Sequence, residues 1–273
     1  MKKKTLTLAT AALLATAGLS FADPSLETET ARLVKPGKFE FGTAFEYQWS
    51  KDGKELALPM SFATGLSDSV ELLIEPIFYT SIRPKGAASS TGLGDLETAI
   101  TWRFFDETDC IPALAIAGEV KFPTARNENI GSGKFDERIY LVASKRIGDV
   151  DFHVNIGYTN VGAPAGVDTK NPFDAAFAVE WFVNKHFDIF GEVLYAGATV
   201  SSGTAGDGAD GSSTITSSLA DGAASAPELG VKNEIVGTLG VRVHLTEQLD
   251  VFTSFNYDNQ HAKLVRVGFT LKF

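Results

Sequence analysis

Residues Leu264 to Phe273 read LVRVGFTLKF, and this stretch decides the fold class. Apolar side chains occupy alternate positions from Val265 to Phe273, and the positions between them hold Arg266, Gly268, Thr270 and Lys272. A period of two residues is that of a β-strand with one apolar and one polar face. The stretch therefore predicts a strand that continues to an aromatic last residue.

The opposite end of the chain has the features of a secretory signal. Lys2 to Lys4 form a basic region, and Leu6 to Leu19 form a short apolar stretch that is too short for a transmembrane anchor. Small residues at Ser20 and Ala22 match the two positions that a signal peptidase recognises. We predict that residues 1–22 are a signal peptide, cleaved after Ala22.

Composition limits the possible partners of the secreted chain. The formal net charge is −10, and loss of the three signal lysines makes it −10 − 3 = −13 over 273 − 22 = 251 residues. Such acidity argues against nucleic acid as a partner. Cys110 is the one cysteine, so neither an intrachain disulfide nor a lipid-modified cysteine after the signal is expected.

No long uncharged apolar run follows Ala22, so a spanning chain of this kind must form a closed barrel. Twelve segments have the length and the two-residue period of barrel strands. They are Phe39–Trp49, Leu56–Phe62, Val70–Tyr79, Leu96–Phe104, Leu114–Phe122, Asp136–Arg146, Phe152–Asn160, Phe173–Val183, Phe187–Tyr195, Asn233–His244, Leu249–Tyr257 and Leu264–Phe273. The terminal Phe behind a secretory signal is similar to the closing strand of bacterial outer-membrane barrels.

We therefore predict an all-β fold: a transmembrane antiparallel up-and-down β-barrel of about 12 strands, in the bacterial outer membrane. The barrel occupies residues 37–273, and residues 23–36 form a periplasmic N-terminal segment. Connections are mostly short on the periplasmic side and longer outside, where residues 196–230 form a long flexible loop of low complexity. Pro59 and Pro76 fall inside strands, where each predicts a bulge or local break.

A soluble β-sandwich or lipocalin-like barrel shows the same alternation with its apolar face inward. Aromatic residues near predicted strand ends favour the membrane barrel, because they suit the two lipid–water interfaces. The predicted membrane girdle is Trp49, Trp102, Trp181, Tyr195, Tyr257 and Phe273. The other face carries many charges, which an apolar core would leave unpaired.

That charged face is the candidate solute path. The predicted lumen residues are Glu40, Glu46, Glu71, Glu75, Glu97, Arg103, Glu119, Lys121, Asp136, Arg138, Glu180, Glu192, Glu234, Arg242 and Arg266. Hairpin symmetry places Glu97 and Asp136 opposite Lys121, Glu119 opposite Arg138, Arg242 against Asp250, and Lys272 near Glu40 at the seam. These pairs either select solutes by charge or hold a narrow barrel shut.

No residue pattern supports catalysis or a metal centre. The four histidines, His153, His186, His244 and His261, lack metal-ligand spacing and form no His-x-Ser pair. Asp258 with His261 is the one local acid–histidine candidate, and two such residues are ordinary in a polar loop. We predict no enzyme activity, no cofactor and no metal.

Four stretches carry a family resemblance: TGLGDLE from Thr91, EVKFPT from Glu119, GSGKF from Gly131 and VNIGYT from Val154. In this order they resemble the family named for the meta-pathway of phenol degradation, a group of outer-membrane barrels regarded as transporters. The resemblance implies a porin-like channel for passive transport of small solutes, including aromatic or hydrophobic compounds. The alternative is a structural or surface-interaction barrel with a sealed lumen. Expected partners are outer-membrane lipid and lipopolysaccharide, the barrel-assembly machinery through the C-terminal strand, and a small-molecule solute.

Overall fold

A computed structural model describes residues 26–200 and 232–273, so the predicted signal peptide and residues 201–230 of the predicted outer loop lie outside the described residues. The described chain forms thirteen strands and no helix. They are β1 Phe39–Trp49, β2 Gly53–Ser67, β3 Val70–Pro84, β4 Ser90–Gly92, β5 Leu96–Phe105, β6 Ala113–Phe122, β7 Asp136–Ile147, β8 Val150–Asn160, β9 Phe173–Asn184, β10 Phe187–Ala196, β11 Glu234–His244, β12 Leu249–Asp258 and β13 Lys263–Lys272.

Twelve of these strands close into an antiparallel barrel. Each long strand pairs with its neighbour along the chain, and β13 returns to β1, with Phe45 opposite Val267. Closure gives each of these twelve strands a hydrogen-bonding partner on both sides. The predicted fold class is confirmed. The short β4, which was not predicted, pairs with β3 alone.

The apolar face of the barrel points outward. In β11, Glu234, Val236 and Thr238 are buried, whereas Ile235 and Leu239 are 49% and 65% exposed. This is the reverse of a soluble sandwich, and it suits a surrounding hydrocarbon phase. Among residues 26–200 and 232–273, no helix is long and apolar enough to cross a membrane.

The predicted girdle residues lie on the outer surface at the two ends of the strands. Trp102 and Trp181 lie opposite Val70 and Val150, next to the tight turns. Trp49 and Tyr257 lie near the other end, as does Tyr195. All six are exposed except Trp49, which is half-buried.

Both prolines mark breaks in the wall, as the sequence predicts. The register between β2 and β3 shifts between Leu58 and Pro59. Pro76 is the last residue of β3 that pairs with β5, and beyond it β3 pairs with β4 instead. Proline has no N–H group to donate, and both prolines thus lie where the hydrogen-bond ladder between the strands is already interrupted.

Candidate functional site in the barrel lumen

The predicted lumen residues all face the inside of the barrel. Fourteen of the fifteen are buried. The remaining one, Arg103, is half-buried at the mouth beside the tight turns, where it donates to the carbonyl oxygens of Ala31 at 3.2 Å and Asp68 at 2.8 Å. Strand parity alone therefore identifies the inner face, whatever its role in transport.

The charge ladder across β5, β6 and β7 has the predicted register. Glu97 lies opposite Lys121, and Lys121 lies opposite Asp136 with 2.5 Å between Nζ and Oδ2. Glu119 lies opposite Arg138, with 3.7 Å between Oε2 and Nη1. Arg138 also donates to Asp174 of β9, which the sequence did not indicate. The ladder thus spans five neighbouring strands.

The predicted cross-strand pairing of Arg242 with Asp250 is wrong. The residue opposite Asp250 is His244, because the β11–β12 turn is centred one residue later than predicted. A shift of one residue in the centre of a hairpin moves each cross-strand partner by two. Arg242 instead donates to Glu180 at 2.7 Å and Asp188 at 3.2 Å.

At the seam, Lys272 lies opposite Glu40 as predicted. Its ammonium donates to Asp250 at 2.7 Å. His244 links the same carboxylate, 2.8 Å from Nδ1, to Asp188, 3.0 Å from Nε2. The imidazole thus bridges the two carboxylates, with one of them at each ring nitrogen.

The largest departure from the sequence prediction is the N-terminal segment. Residues 26–36, hereafter the inner segment, run into the barrel and do not form the predicted periplasmic segment; residues 26–34 lie inside, and Lys35 and Pro36 are exposed at the mouth. They enter beside Gly65 at the end with the tight turns and extend to the middle of the lumen, where Glu192 accepts from the amides of Glu27 at 3.0 Å and Thr28 at 2.6 Å. The Thr28 hydroxyl donates to the same carboxylate at 2.5 Å.

Wall side chains also supply partners for the rest of the inner segment. Asn155 accepts from the Glu29 amide at 2.6 Å and donates to the Glu29 carbonyl at 2.9 Å. The Ser144 hydroxyl accepts from the Ala31 amide at 2.8 Å, and Glu71 accepts from the Val34 amide at 2.5 Å. An irregular segment inside a barrel needs such partners because its buried amides have no strand to pair with. The segment is therefore held by its backbone along its length.

A buried arginine ties the inner segment to the barrel seam. Arg266 of β13 donates to Glu27 at 2.5 Å and also to Glu46 of β1. Arg266 is fully buried, so the two carboxylates offset the cost of removing its charge from water.

The wall is shaped to admit the inner segment. Ala113, Ala115 and Ala117 follow one another on the inner face of β6 and pack against Ala31. At Gly65 a Cβ atom would lie 2.1 Å from the Val34 carbonyl oxygen, so no larger residue fits there. Small residues face the segment where the backbone approaches the wall closely.

At the mouth with the tight turns, an ion-pair group that we call the Arg32 cluster holds the inner segment. Arg32 contacts Asp151 of β8 and Glu107 of the β5–β6 connection, both at 2.6 Å. Lys145 lies 3.0 Å from Glu107, and Arg146 lies 3.2 Å from Asp151. Burial alone would raise the pKa of Glu107, but hydrogen bonds from Arg32, Lys145 and the Arg146 amide lower it below its ordinary value.

The acid–histidine candidate of the sequence is held by local contacts. Asp258 accepts from the amides of Gln260 and Ala262, and His261 bonds to the Tyr257 hydroxyl at 2.6 Å. Inside the barrel, His153 Nδ1 lies 2.8 Å from the Ser144 hydroxyl, which already accepts from the inner segment. Among the described residues, no group of three His, Cys, Asp or Glu side chains is placed to hold a metal ion.

These features define a class: a closed antiparallel barrel of the outer-membrane type with a chain segment inside it. Residues 22–226 match the family model described as "Putative MetA-pathway of phenol degradation". The chain belongs to this family. Among curated proteins, none matches it.

Solved structures share the fold. The COG4313 outer membrane channel from Pseudomonas putida F1 is 12% identical, with a TM-score of 0.61 over 93% of this chain and 100% of that chain. The NanC porin is 12% identical, with a TM-score of 0.55 over 85% and 100%. The KdgM porin in complex with disordered oligogalacturonate is 11% identical, with a TM-score of 0.55 over 86% and 99%. At these identities the similarity establishes the architecture alone.

Proposed function

We propose that the protein is a non-enzymatic channel of the bacterial outer membrane, which allows small solutes to cross passively. The support is a barrel with an apolar exterior, aromatic residues at both ends and a charged interior, together with the family it belongs to. Assembly through the C-terminal strand by the barrel-assembly machinery stays a prediction.

The main observation behind this proposal is the position of the inner segment in the lumen. It contacts β3, β7, β8, β10 and β13 through hydrogen bonds, so it occupies the path that a solute would take. Passage of a solute through the full length of the lumen then requires the segment to move aside. The same observation favours the second candidate, a structural barrel with a sealed lumen, and the two differ in whether the segment is displaced during function.

Charge gives the expected selectivity. Buried carboxylates of the described wall far outnumber its buried cations, which are Lys121, Arg138, Arg242 and Arg266. A lumen with this excess attracts cations and repels anions. Glu75 and Glu119 lie in the middle of the wall, so replacing them with uncharged residues is the first test of this selectivity.

For the solute class, we propose small aromatic or hydrophobic compounds. The family description names phenol degradation, and the wall contains an interruption that an apolar solute could use. Beyond Pro76, β3 leaves β5 and pairs with the short β4, and between the two ladders lies one hydrogen bond of 3.0 Å from the Gly94 amide to the Ile77 carbonyl. A route through this part of the wall avoids the charged centre of the lumen.

The test is single-channel conductance of refolded residues 23–273 in a planar bilayer with a salt gradient. We expect small steps from this protein and larger, cation-preferring steps after deletion of residues 23–34. Glu75→Gln with Glu119→Gln should reduce the cation preference of the deletion variant. Silence of both proteins, each shown to be folded by its heat-modifiable migration in detergent gels, would establish the sealed barrel instead.

A further inference from the structure

One row of neighbouring side chains on the outer surface stands out by its charge. Along the strand ends opposite the tight turns, Tyr257 of β12 lies opposite Lys263 of β13, and Lys263 lies opposite Trp49 of β1. Trp49 lies opposite Lys54 of β2, and Lys54 lies opposite Arg83 of β3. Cross-strand partners point to the same face, so five successive strands present a continuous row of two aromatic rings and three cations.

We propose that this row, the basic row, is a binding site for the phosphorylated headgroup of an outer-leaflet lipid of the lipid A type. It is defined by Lys263, Lys54 and Arg83, with Trp49 between the first two. The site lies on the outside of the barrel and is independent of the channel function. Neighbouring strands are about 4.8 Å apart, so the three cations span about 15 Å of the rim.

The three cations are available to an external anion. All three are exposed, and within residues 26–200 and 232–273 no carboxylate lies at ion-pair distance from any of them. Many other cations of this chain, such as Arg32, Lys121 and Arg138, are paired with carboxylates. In a chain of net charge −10, three adjacent unpaired cations at one rim indicate an anionic partner.

The height of the basic row matches the headgroup region. Trp49 stacks on Tyr47 with 5.7 Å between ring centroids, and such aromatic pairs mark the lipid–water interface of barrels. The two adjoining outer connections are short, since β2 begins four residues after the end of β1, and β13 begins five residues after the end of β12. A headgroup can therefore reach the cations without displacing either of these two connections.

The opposite wall differs at the same height. The outward residues near the outer ends of β5 to β9 are Leu96, Phe122, Glu137, Asn160 and Phe173, and none is a cation. Among the outward residues at these strand ends, cations thus lie on β13, β2 and β3 and not on β5 to β9. This asymmetry argues for recognition of an anion at one place and not for a uniform surface charge.

The proposal is tested by binding of fluorescent lipid A to the refolded protein in detergent. EDTA is present, so that divalent cations cannot bridge the lipid to carboxylates. The triple variant Lys54→Gln, Arg83→Gln, Lys263→Gln is compared with the variant Arg126→Gln, Lys134→Gln, Lys170→Gln, which loses the same charge at exposed positions elsewhere. A third variant, Lys54→Arg with Lys263→Arg, keeps the charge.

We expect the first variant to bind lipid A at least about tenfold more weakly, since each cation near a phosphorylated surface contributes appreciably. The control variant and the charge-keeping variant should bind as the parent does, and dephosphorylated lipid A should bind weakly to all. Equal losses in both triple variants would overturn the proposal. Displacement of lipid A by millimolar inorganic phosphate at constant ionic strength would show a site for free anions, which also contradicts a lipid site.

Discussion

Arg32 of the inner segment and Asp151 of β8 form a two-point contact, with 2.6 Å from Nε to Oδ2 and 2.9 Å from Nη2 to Oδ1. Paired parallel hydrogen bonds of this kind fix both the distance and the orientation of the guanidinium. The contact lies where the inner segment enters the barrel. It therefore adds a side-chain anchor at the entrance to the backbone contacts that hold the segment further inside.

Replacing Arg32 should release the inner segment. In Arg32→Gln, Asp151 keeps Arg146 as a neighbour, so we expect a loss of about 1–3 kcal/mol and not complete unfolding. The measurement is the rate at which a membrane-impermeant maleimide labels a thiol introduced by Thr30→Cys, in a background that carries Cys110→Ser. Labelling should accelerate at least about tenfold. The control Arg126→Gln removes an exposed cation and should leave the rate unchanged.

Acid should loosen the same cluster. The pKa of Glu107 is lowered in the folded protein, so its stabilising contribution is complete above its ordinary pKa and is lost as pH falls through the lowered value. Thiol labelling of the Thr30→Cys protein should therefore rise on going from pH 6 to below about pH 4. Labelling at each pH is normalised to Ser89→Cys, an exposed position of the β3–β4 connection, in the same background, because thiol reactivity itself falls with pH. If Glu107→Gln retains the full acid response, another group is responsible.

The sequence predicts those features that depend on near neighbours. Glu97, Lys121 and Asp136 pair as predicted because hairpin connections fix which residues face each other. The same reasoning misplaced Arg242, since a turn of four residues can be centred in more than one way. The two-residue period of a strand therefore predicts which face each residue occupies more reliably than it predicts the cross-strand partner.

The inner segment was missed for a different reason. Its hydrogen bonds run from Thr28 to Glu192 and from Glu29 to Asn155, and each joins residues more than 120 positions apart in the sequence. The periodicity of a single strand contains no information about such distant contacts. A signal was nevertheless present. Alanines at 113, 115 and 117 on a face that should fill the lumen leave space, and only another part of the chain or a solute could occupy it.

Adding one methyl group should also displace the segment. In Gly65→Ala the new Cβ would lie 2.1 Å from the Val34 carbonyl oxygen, so the backbone must shift. We expect faster labelling at position 30 and larger conductance steps. Gly118→Ala is the matched control, because nothing lies within 4 Å of its Cβ. Similar labelling in both variants would mean that the close contact at Gly65 does not hold the segment.

Arg138 should contribute more to the stability of the barrel than any exposed cation. It faces both Glu119 and Asp174, and all three side chains are at least about 95% buried. Arg138→Met leaves two carboxylates in the lumen without this cation, which should lower the free energy of unfolding by about 3–5 kcal/mol. Urea titration of the refolded protein measures the loss, and Lys134→Met, at an exposed loop position, should change stability by less than about 0.5 kcal/mol.

A second substitution separates charge from packing in this prediction. Asp174→Asn in the Arg138→Met background removes one of the two carboxylates and should restore part of the lost stability, because less negative charge then remains buried. If the contact of the guanidinium with the Tyr140 ring, 4.8 Å from its centroid, were the main contribution, the double variant would be no more stable than Arg138→Met. Partial restoration by Asp174→Asn therefore identifies the ladder as an electrostatic support of the wall, which any solute path through the lumen must leave in place.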